Sequence, residues 1–387
     1  MLAFLSIGGK AMRMGLALLG AGFLAACDGP VISGGLDGSR TVPVALLLPQ
    51  SSGADGATLA ASFENAARLA AQDLTGVTVD LRIYDTGARA DLAAAAARTA
   101  IDDGARIILG PVFAGAASAA GVTAANRGVP VLAFSNNPAV AGGNVFILGT
   151  TFDTTARRLA GYSVGAGRDD IFIVHGQDSA EEIGRGAIER GVAATGGLLA
   201  GSASFALSQE GVINAIPEIA DSVDASGAEA LFFTSGTAGA LPFLADLLPE
   251  NGVDPAEVQF IGLQRLDVPS TALTLSGLQN AWFAVPDPGL ISQFSARYQA
   301  TYGGPPHPNA YLAYDGVAAI GALVASGTTN PLSAANLTQG SGFAGVGGVF
   351  RFLPDGTNER GLAVAQIQNQ QVVVIDPAPR SFGGPGS

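Results

Sequence analysis

Short apolar runs that alternate with longer alanine-rich stretches constrain this chain most, because few folds accommodate such a pattern. Residues 42–48 and 107–109 are too short for helices and are dominated by Val, Ile and Leu. Apolar strands without polar alternation are buried on both faces, which is typical of a parallel sheet built from strand–helix–strand units. The sequence therefore predicts an α/β fold.

The alternation runs through two successive arrays and then ends in further helices and strands. We predict helix starts capped at Asp153-Thr154 and at Ser179, with Glu182 three residues later. The predicted strands are 42–48, 79–84, 107–109, 131–134, 171–174, 198–204, 231–234, 259–262, 349–352, 362–368 and 372–375, and the predicted helices are 57–73, 91–102, 114–127, 179–194, 209–223, 239–248, 290–302 and 309–325.

The first residues have the features of a secretory signal. Lys10 and Arg13 precede an apolar segment that ends in Leu24-Ala25-Ala26-Cys27. The segment is too short to cross a bilayer core of about 30 Å. Leu-Ala-Ala-Cys resembles the bacterial lipobox, in which the cysteine becomes the lipidated first residue; the alternative is a chance cysteine beside an ordinary cleavage site.

We therefore predict a signal peptide over 1–26, a tether over 27–40 that is lipidated at Cys27, and a disordered tail over 377–387. Asp28, directly after the cysteine, resembles the enterobacterial signal that keeps lipoproteins in the inner membrane. We therefore predict the inner membrane, with the outer membrane as the alternative. Removal of residues 1–26 leaves 17 basic and 32 acidic residues, a net charge of −15. Such a surface repels phosphate groups, so no nucleic acid is expected as a partner.

The composition also argues against catalysis and metal binding. Lys10 is the only lysine, which excludes a phosphate-binding P-loop lysine and a Schiff base from the mature chain. His175 and His307 are far apart, and the one cysteine is assigned to lipid, so we predict no metal site, no cofactor and no catalytic residues. A glycan hydrolase is the remaining enzymatic alternative, and it needs paired carboxylates that the sequence does not place.

Two parallel sheets bring the carboxyl ends of their strands to a shared cleft, where ligands of open α/β sheets bind. The loops at these ends are rich in hydroxyls, amides and glycine, which suits a small polar ligand. The alternative is that these residues only form turns and helix caps. The predicted cleft residues are Ser51, Ser52, Phe113, Ala114, Ser118, Ser135, Asn136, Asn137, Gln177, Asp178, Ser235, Thr237, Gln264 and Asp267.

Segments 44–53, 108–113 and 129–137 resemble the type I periplasmic binding proteins of the leucine-binding family, and the resemblance extends over residues 41–376. It implies two doubly wound parallel-sheet lobes joined by three crossovers, near 149–154, 281–288 and 342–348. The first lobe would comprise 41–150 plus 284–344, and the second would comprise 151–283 plus 345–376.

The resemblance also bears on the ligand. The family's amino-acid clamp uses a hydroxyl, an aromatic ring and an acid, which fall near Ala114, Asp178 and Gln264, so none is retained. Asp178 or Asp267 could supply the missing acid. The hydroxyl and amide loop of the family is matched by Ser135, Asn136 and Asn137.

Segments 282–288, 342–352 and 376–380 resemble a narrower branch, the alphaproteobacterial lipoproteins labelled penicillin-binding protein activators. This implies a non-catalytic, lipid-anchored periplasmic regulator that contacts a peptidoglycan synthase. The alternative function is a substrate-binding protein that delivers amino acids or another small polar solute to an ABC permease.

Overall fold

The computed structural model describes residues 41–382. The predicted signal peptide, the lipidation of Cys27, the tether and the last five residues of the predicted tail lie outside the described residues. No helix within 41–382 has both the length and the apolar character needed to cross a membrane.

The described strands and helices follow one another as the sequence pattern predicts, with additional short strands. The strands are β1 Thr41–Leu48, β2 Thr78–Asp85, β3 Ile107–Leu109, β4 Val131–Ala133, β5 Val145–Ile147, β6 Asp170–Gly176, β7 Leu198–Phe205, β8 Ala230–Phe233, β9 Gln259–Gly262, β10 Trp282–Val285, β11 Phe343–Gly345, β12 Gly348–Phe352, β13 Asn358–Arg360, β14 Ala363–Gln368 and β15 Gln371–Asp376. The helices are α1 Gly53–Asp73, α2 Ala90–Asp102, α3 Ala114–Ala125, α4 Phe152–Gly165, α5 Ser179–Thr195, α6 Gln209–Ser226, α7 Leu241–Glu250, α8 Pro288–Tyr302, α9 Tyr311–Ala325 and α10 Ala334–Leu337.

The first lobe is built on a parallel sheet with the order β2-β1-β3-β4-β5. Strand β1 is buried on both faces. Leu46 and Leu48 pack in the cluster that contains Phe63 of α1, whereas Leu47 packs with Ala97 of α2. This burial explains why the strand has no polar alternation.

The second lobe contains a sheet with the order β15-β14-β10-β9-β8-β6-β7. Strands β6 to β10 are parallel, and β14 and β15 add an antiparallel edge. Ile188 of α5 belongs to the core on one face, and Ile216 of α6 belongs to the core on the other. Two doubly wound lobes confirm the predicted fold class.

The lobe boundaries differ from the predicted ones in two places. Strand β12 pairs with β11 and β13 in a small antiparallel sheet, and its Phe350 and Phe352 join the core of the first lobe. The third crossover therefore lies between Phe352 and Ala363, after the predicted segment 342–348. Strand β10 pairs within the second sheet along its whole length, including Ala284 and Val285. Strand periodicity does not reveal which lobe a strand packs against, which accounts for both differences.

Polar side chains tie the third crossover to the first. The amide of Asn358 donates to the carbonyl oxygens of Ile147 (2.6 Å) and Gly149 (2.8 Å). The Arg360 guanidinium donates through Nε to the carbonyl oxygen of Leu148 (2.9 Å). These bonds hold the end of β5 against β13 at the point where the chain leaves the first lobe.

Two predicted helix caps are displaced towards the N-terminus. Helix α4 is capped by Thr151, which accepts a hydrogen bond from the backbone N–H of Thr154 (3.2 Å), and not by Asp153-Thr154. Helix α5 is capped by Asp178, which precedes the predicted Ser179. In both cases a hydroxyl or carboxylate one or two residues earlier reaches the free N–H groups of the first turn.

The start of the predicted tail is packed and not disordered as far as it is described. Ala378 is buried in the core of the second lobe, and Phe382 lies beneath the Arg351 guanidinium. Hydrogen bonds and apolar contacts therefore continue past β15 to at least Phe382.

Candidate functional site

Each predicted cleft residue lies in a loop or helix start that follows the carboxyl end of a parallel strand. In the first lobe these loops follow β1, β3 and β4, and in the second lobe they follow β6, β8 and β9. Ligands of open α/β sheets bind beyond the carboxyl ends of the strands, where both sets of loops lie. We infer that the two sets of loops border the gap between the lobes.

The loop after β1 is held by its own hydrogen bonds. The backbone N–H of Ser51 donates to Asp85 Oδ1 (3.1 Å), and Ser52 Oγ donates to the carbonyl oxygen of Pro49 (2.8 Å). Burial acts to raise the pKa of Asp85, but hydrogen bonds from Ser51 and Gly87 outweigh it and leave this pKa lowered. Ser52 therefore acts mainly as a turn former.

The loop after β4 combines one buried and one exposed polar side chain. Ser135 is buried, and its Oγ accepts from the backbone N–H of Asn137 (3.1 Å). Asn137 in turn accepts from the backbone N–H of Ala139 (2.9 Å). Asn136 is exposed, and its side chain has no hydrogen-bond partner within residues 41–382, so it is the free amide of this loop.

Helix α3 begins at the edge of the gap with an apolar surface. Phe113 immediately precedes the helix and is 44% exposed. Ala114 is half-buried, and Ser118, one turn later, is exposed. This corner of the first lobe offers an aromatic ring and a hydroxyl to the gap.

In the second lobe, Asp178 is used for folding. Its Oδ1 accepts from the backbone N–H groups of Ala180 (2.7 Å) and Glu181 (2.8 Å) at the start of α5. Gln177 is exposed and donates to Ser204 Oγ (3.1 Å). The carboxylate of Asp178 is therefore already engaged and does not replace the missing acid of the amino-acid clamp.

Glu181 was not among the predicted site residues. Glu181 accepts hydrogen bonds from the backbone N–H of Gly176 (3.1 Å), from Ser235 Oγ (2.7 Å) and from Thr234 Oγ1. Ser235 is 0% exposed, so its hydroxyl serves Glu181 and is not available to a ligand as predicted. An acid in the first turn of a predicted helix was the only local signal, because both hydroxyl partners lie more than fifty residues away.

Arg265 was also missed, and it changes the role of Asp267. The guanidinium donates through Nε to Asp267 Oδ1 (2.8 Å), and a second bond joins Nη2 to Oδ2 (2.5 Å). Burial acts to lower the pKa of Arg265, but the hydrogen bonds and charge of Asp267 outweigh it and raise this pKa. The Asp267 carboxylate is neutralised by this partner, so it is not a free counter-charge for a ligand ammonium.

The remaining predicted residues of this lobe are also partly committed. Gln264 Nε2 donates to the carbonyl oxygen of Thr234 (3.0 Å), and Thr237 Oγ1 donates to that of Val268 (2.6 Å). Gln264 is exposed, and its amide oxygen stays free because the bond to Thr234 uses only the amide nitrogen. The side chains that keep free hydrogen-bonding groups at the gap include those of Ser118, Asn136, Gln177 and Gln264.

The sequence profile described as periplasmic binding protein matches residues 41–371. The chain belongs to the periplasmic binding protein family. No curated protein matches this periplasmic binding protein in sequence.

Solved structures share the fold of this periplasmic binding protein over most of its length. A putative branched-chain amino acid ABC transporter protein from Rhodospirillum rubrum is 20% identical, with a TM-score of 0.74, and the match covers 87% of this chain and 100% of that one. An ABC transporter substrate-binding protein from Desulfitobacterium hafniense, solved in complex with Leu, is 18% identical, with a TM-score of 0.65 and coverage of 87% and 100%.

A third solved structure is the solute-binding protein of an ABC transporter from Rhodopseudomonas palustris BisB5, in complex with 3,4-dihydroxybenzoic acid. It is 17% identical, with a TM-score of 0.61, and the match covers 90% of this chain and 99% of that one. At such identities the likeness shows the fold alone, and it confirms the leucine-binding-type resemblance. The activator branch stays a prediction.

Among residues 41–382, no three His, Cys, Asp or Glu side chains are grouped closely enough to hold a metal ion. His175 is buried at the end of β6, with Nδ1 3.1 Å from the carbonyl oxygen of Gly176 and 3.5 Å from Glu182 Oε1. The groups that this periplasmic binding protein presents at the gap between its lobes are the hydrogen-bonding side chains of the loops described above.

Proposed function

We propose that this periplasmic binding protein captures a small solute between its lobes and delivers it, unchanged, to an ABC permease. The observation that carries the proposal is the family profile, which matches residues 41–371. Solved relatives described as ABC transporter binding proteins support it. Polar loops at the carboxyl ends of two parallel sheets suit this role, because a small ligand can be contacted from both lobes.

The sequence analysis placed a regulator of peptidoglycan synthesis first and an importer second. The comparisons favour the importer, because the matching proteins are solute-binding proteins and none of those described above is an activator. We therefore take import as the proposed function. The periplasm is the proposed location, with Cys27 as the lipid anchor.

The free groups at the gap indicate which solutes to test. Asn136, Gln177 and Gln264 offer uncharged hydrogen-bonding groups, and Phe113 offers an apolar surface. Asp178 is bonded to helix N–H groups and Asp267 is bonded to Arg265, as described above. Neither of the two predicted acids is therefore free to pair with the ammonium group of a ligand. We propose a solute with an apolar body and a polar group, and the ligands of the solved relatives provide two starting probes, leucine and 3,4-dihydroxybenzoate.

Thermal unfolding in the presence of single solutes tests the proposal. The panel contains leucine, isoleucine, valine, benzoate and 3,4-dihydroxybenzoate. A solute at 100 times its Kd stabilises the folded protein by about 2.7 kcal/mol, which is a readily measured shift in Tm. A flat response across the panel and across a wider set of amides and short peptides would contradict import of a small solute.

A matched pair of variants on α3 locates the binding site. Ala114→Trp places an indole at the end of the helix that borders the gap and should abolish the shift. Val122→Trp adds the same group at a site that is 72% exposed, two turns further along α3, and should leave the shift intact. Equal shifts in both variants would place the solute elsewhere on the protein.

A further inference from the structure

The residues that follow β15 begin on the second lobe. Arg158, on α4, holds this start through hydrogen bonds from Nη2 to Asp376 Oδ2 (2.6 Å) and to the carbonyl oxygen of Pro377 (3.4 Å). Ala378 then enters the apolar core of the same lobe. The first two residues after the strand are therefore fixed to the second lobe.

The same segment ends on the first lobe. The ring of Phe382 lies beneath the guanidinium of Arg351, with 4.7 Å between the guanidinium carbon and the ring centroid. Arg351 belongs to β12, whose Phe350 and Phe352 pack in the first-lobe core, and its Nε is held by Glu359 (2.6 Å). Residues 377–382, which we call the C-terminal strap, thus extend from the second lobe and reach the first lobe through a non-covalent contact.

Between its ends the strap passes between two cavities. A cavity of about 1000 Å³ lies on one side, between α4 and the β12–β13 region, and a cavity of about 390 Å³ lies on the other, beside the start of α8. Pro379 lines both cavities. The middle of the strap is therefore flanked by a cavity on each side.

One close approach shows where the strap touches the hinge. A Cβ atom on Gly361, which follows β13, would lie 2.9 Å from the carbonyl oxygen of Pro379, 2.9 Å from Val349 Cγ2 and 3.1 Å from Pro379 Cγ. A side chain at this position could not coexist with the strap without a shift. Gly361 thus permits the strap to lie directly on the third crossover.

We propose that the C-terminal strap is a releasable fourth link between the lobes, which restrains their opening while Phe382 is seated under Arg351. The three covalent crossovers set the hinge, and the strap adds a restraint that crosses from one lobe to the other. A single cation–π contact is a weak interaction, so the strap can detach and rebind while the lobes stay folded. This inference concerns lobe motion without solute and is independent of what the gap binds.

The distance between one label on each lobe measures this restraint. Cys27→Ser removes the only cysteine, so spin labels can be attached to Val122→Cys on α3 and Glu218→Cys on α6 in the full chain. Both positions are exposed. Pulsed electron double resonance then reports the width of the inter-lobe distance distribution.

Phe382→Ala should broaden this distribution at least twofold, whereas Ser381→Ala, an exposed neighbour in the same strap, should leave it unchanged. Gly361→Ala should also broaden it, because the added Cβ displaces Pro379 while Phe382 stays intact. Should one of these variants fail to fold, the other still decides the question. A distribution that Phe382→Ala or Gly361→Ala leaves unchanged, or that Ser381→Ala broadens equally, would overturn the proposal.

Discussion

The ion pair between Asp315 and Arg360 should be among the most costly contacts to break in the first lobe. The Asp315 side chain is 0% exposed and that of Arg360 is 1% exposed. Asp315 Oδ2 accepts from Nη1 (3.0 Å) and Nη2 (2.9 Å) of Arg360, and its Oδ1 accepts from the backbone N–H of Val346 (2.7 Å). Complete burial raises the pKa of Asp315, while the charge and hydrogen bonds of Arg360 act in the opposite direction.

Asp315→Asn keeps the size of the side chain and removes its charge, so the guanidinium is left buried without a counter-charge. Breaking a buried pair in this way costs about 3–5 kcal/mol. Arg360→Met leaves the carboxylate without its cation and should cost a similar amount. The double variant Asp315→Asn/Arg360→Met removes both charges, so it should cost less than the sum of the two single variants.

Guanidinium chloride unfolding followed by far-ultraviolet circular dichroism measures these free energies. This signal is preferable to tryptophan fluorescence, because the only tryptophan, Trp282, lies in the second lobe. A loss below 0.5 kcal/mol for Asp315→Asn, or full additivity in the double variant, would contradict the role assigned to the pair.

Two further outcomes follow from the structure, and a third follows from the sequence. Asp178→Ala should cost about 1 kcal/mol in urea unfolding, because the N-terminus of α5 loses its cap; a loss below 0.3 kcal/mol would count against that assignment. Burial, helped by a hydrogen bond to Asp73, raises the pKa of Tyr314 to about 12, so stability present below pH 10 should fall as the pH approaches 12. Tyr314→Phe should lower stability at neutral pH by about 1 kcal/mol and flatten this alkaline loss, and an unchanged pH profile would contradict it. Cys27→Ser should abolish incorporation of labelled palmitate in the native host, and undiminished labelling would refute the predicted anchor.

Local pattern was sufficient for most of the parallel strands. Strands β3 and β9 coincide with the predicted 107–109 and 259–262, because continuous apolar runs between helices leave few alternatives. Strand β5 was missed because it directly follows the turn-forming residues Gly142-Gly143-Asn144. The sequence pattern did not show that β12 packs on the first lobe, because a strand with the same alternation of residues could pack on either lobe.

Which loops follow the parallel strands was predictable, but the hydrogen bonds of their side chains were not. Hydroxyl and amide residues were expected in these loops, and Asn136 is exposed in the loop after β4. Whether a hydroxyl is free depends on distant partners: Ser235 is bonded to Glu181, 54 residues away. The Asp267 carboxylate is likewise not free, because it is bonded to Arg265. The sequence alone does not show in which direction the side chain of Arg265 points.

Recovery of a bound solute from a metabolite extract is the most direct measurement of solute capture between the lobes. The protein, Ala114→Trp and Val122→Trp are each dialysed against an extract of the native host, and the small molecules retained by each are quantified by mass spectrometry. We predict one solute enriched at a ratio of about one per chain on the parent and on Val122→Trp, and absent from Ala114→Trp. No enriched solute on any of the three, or equal enrichment on all of them, would contradict capture in the gap.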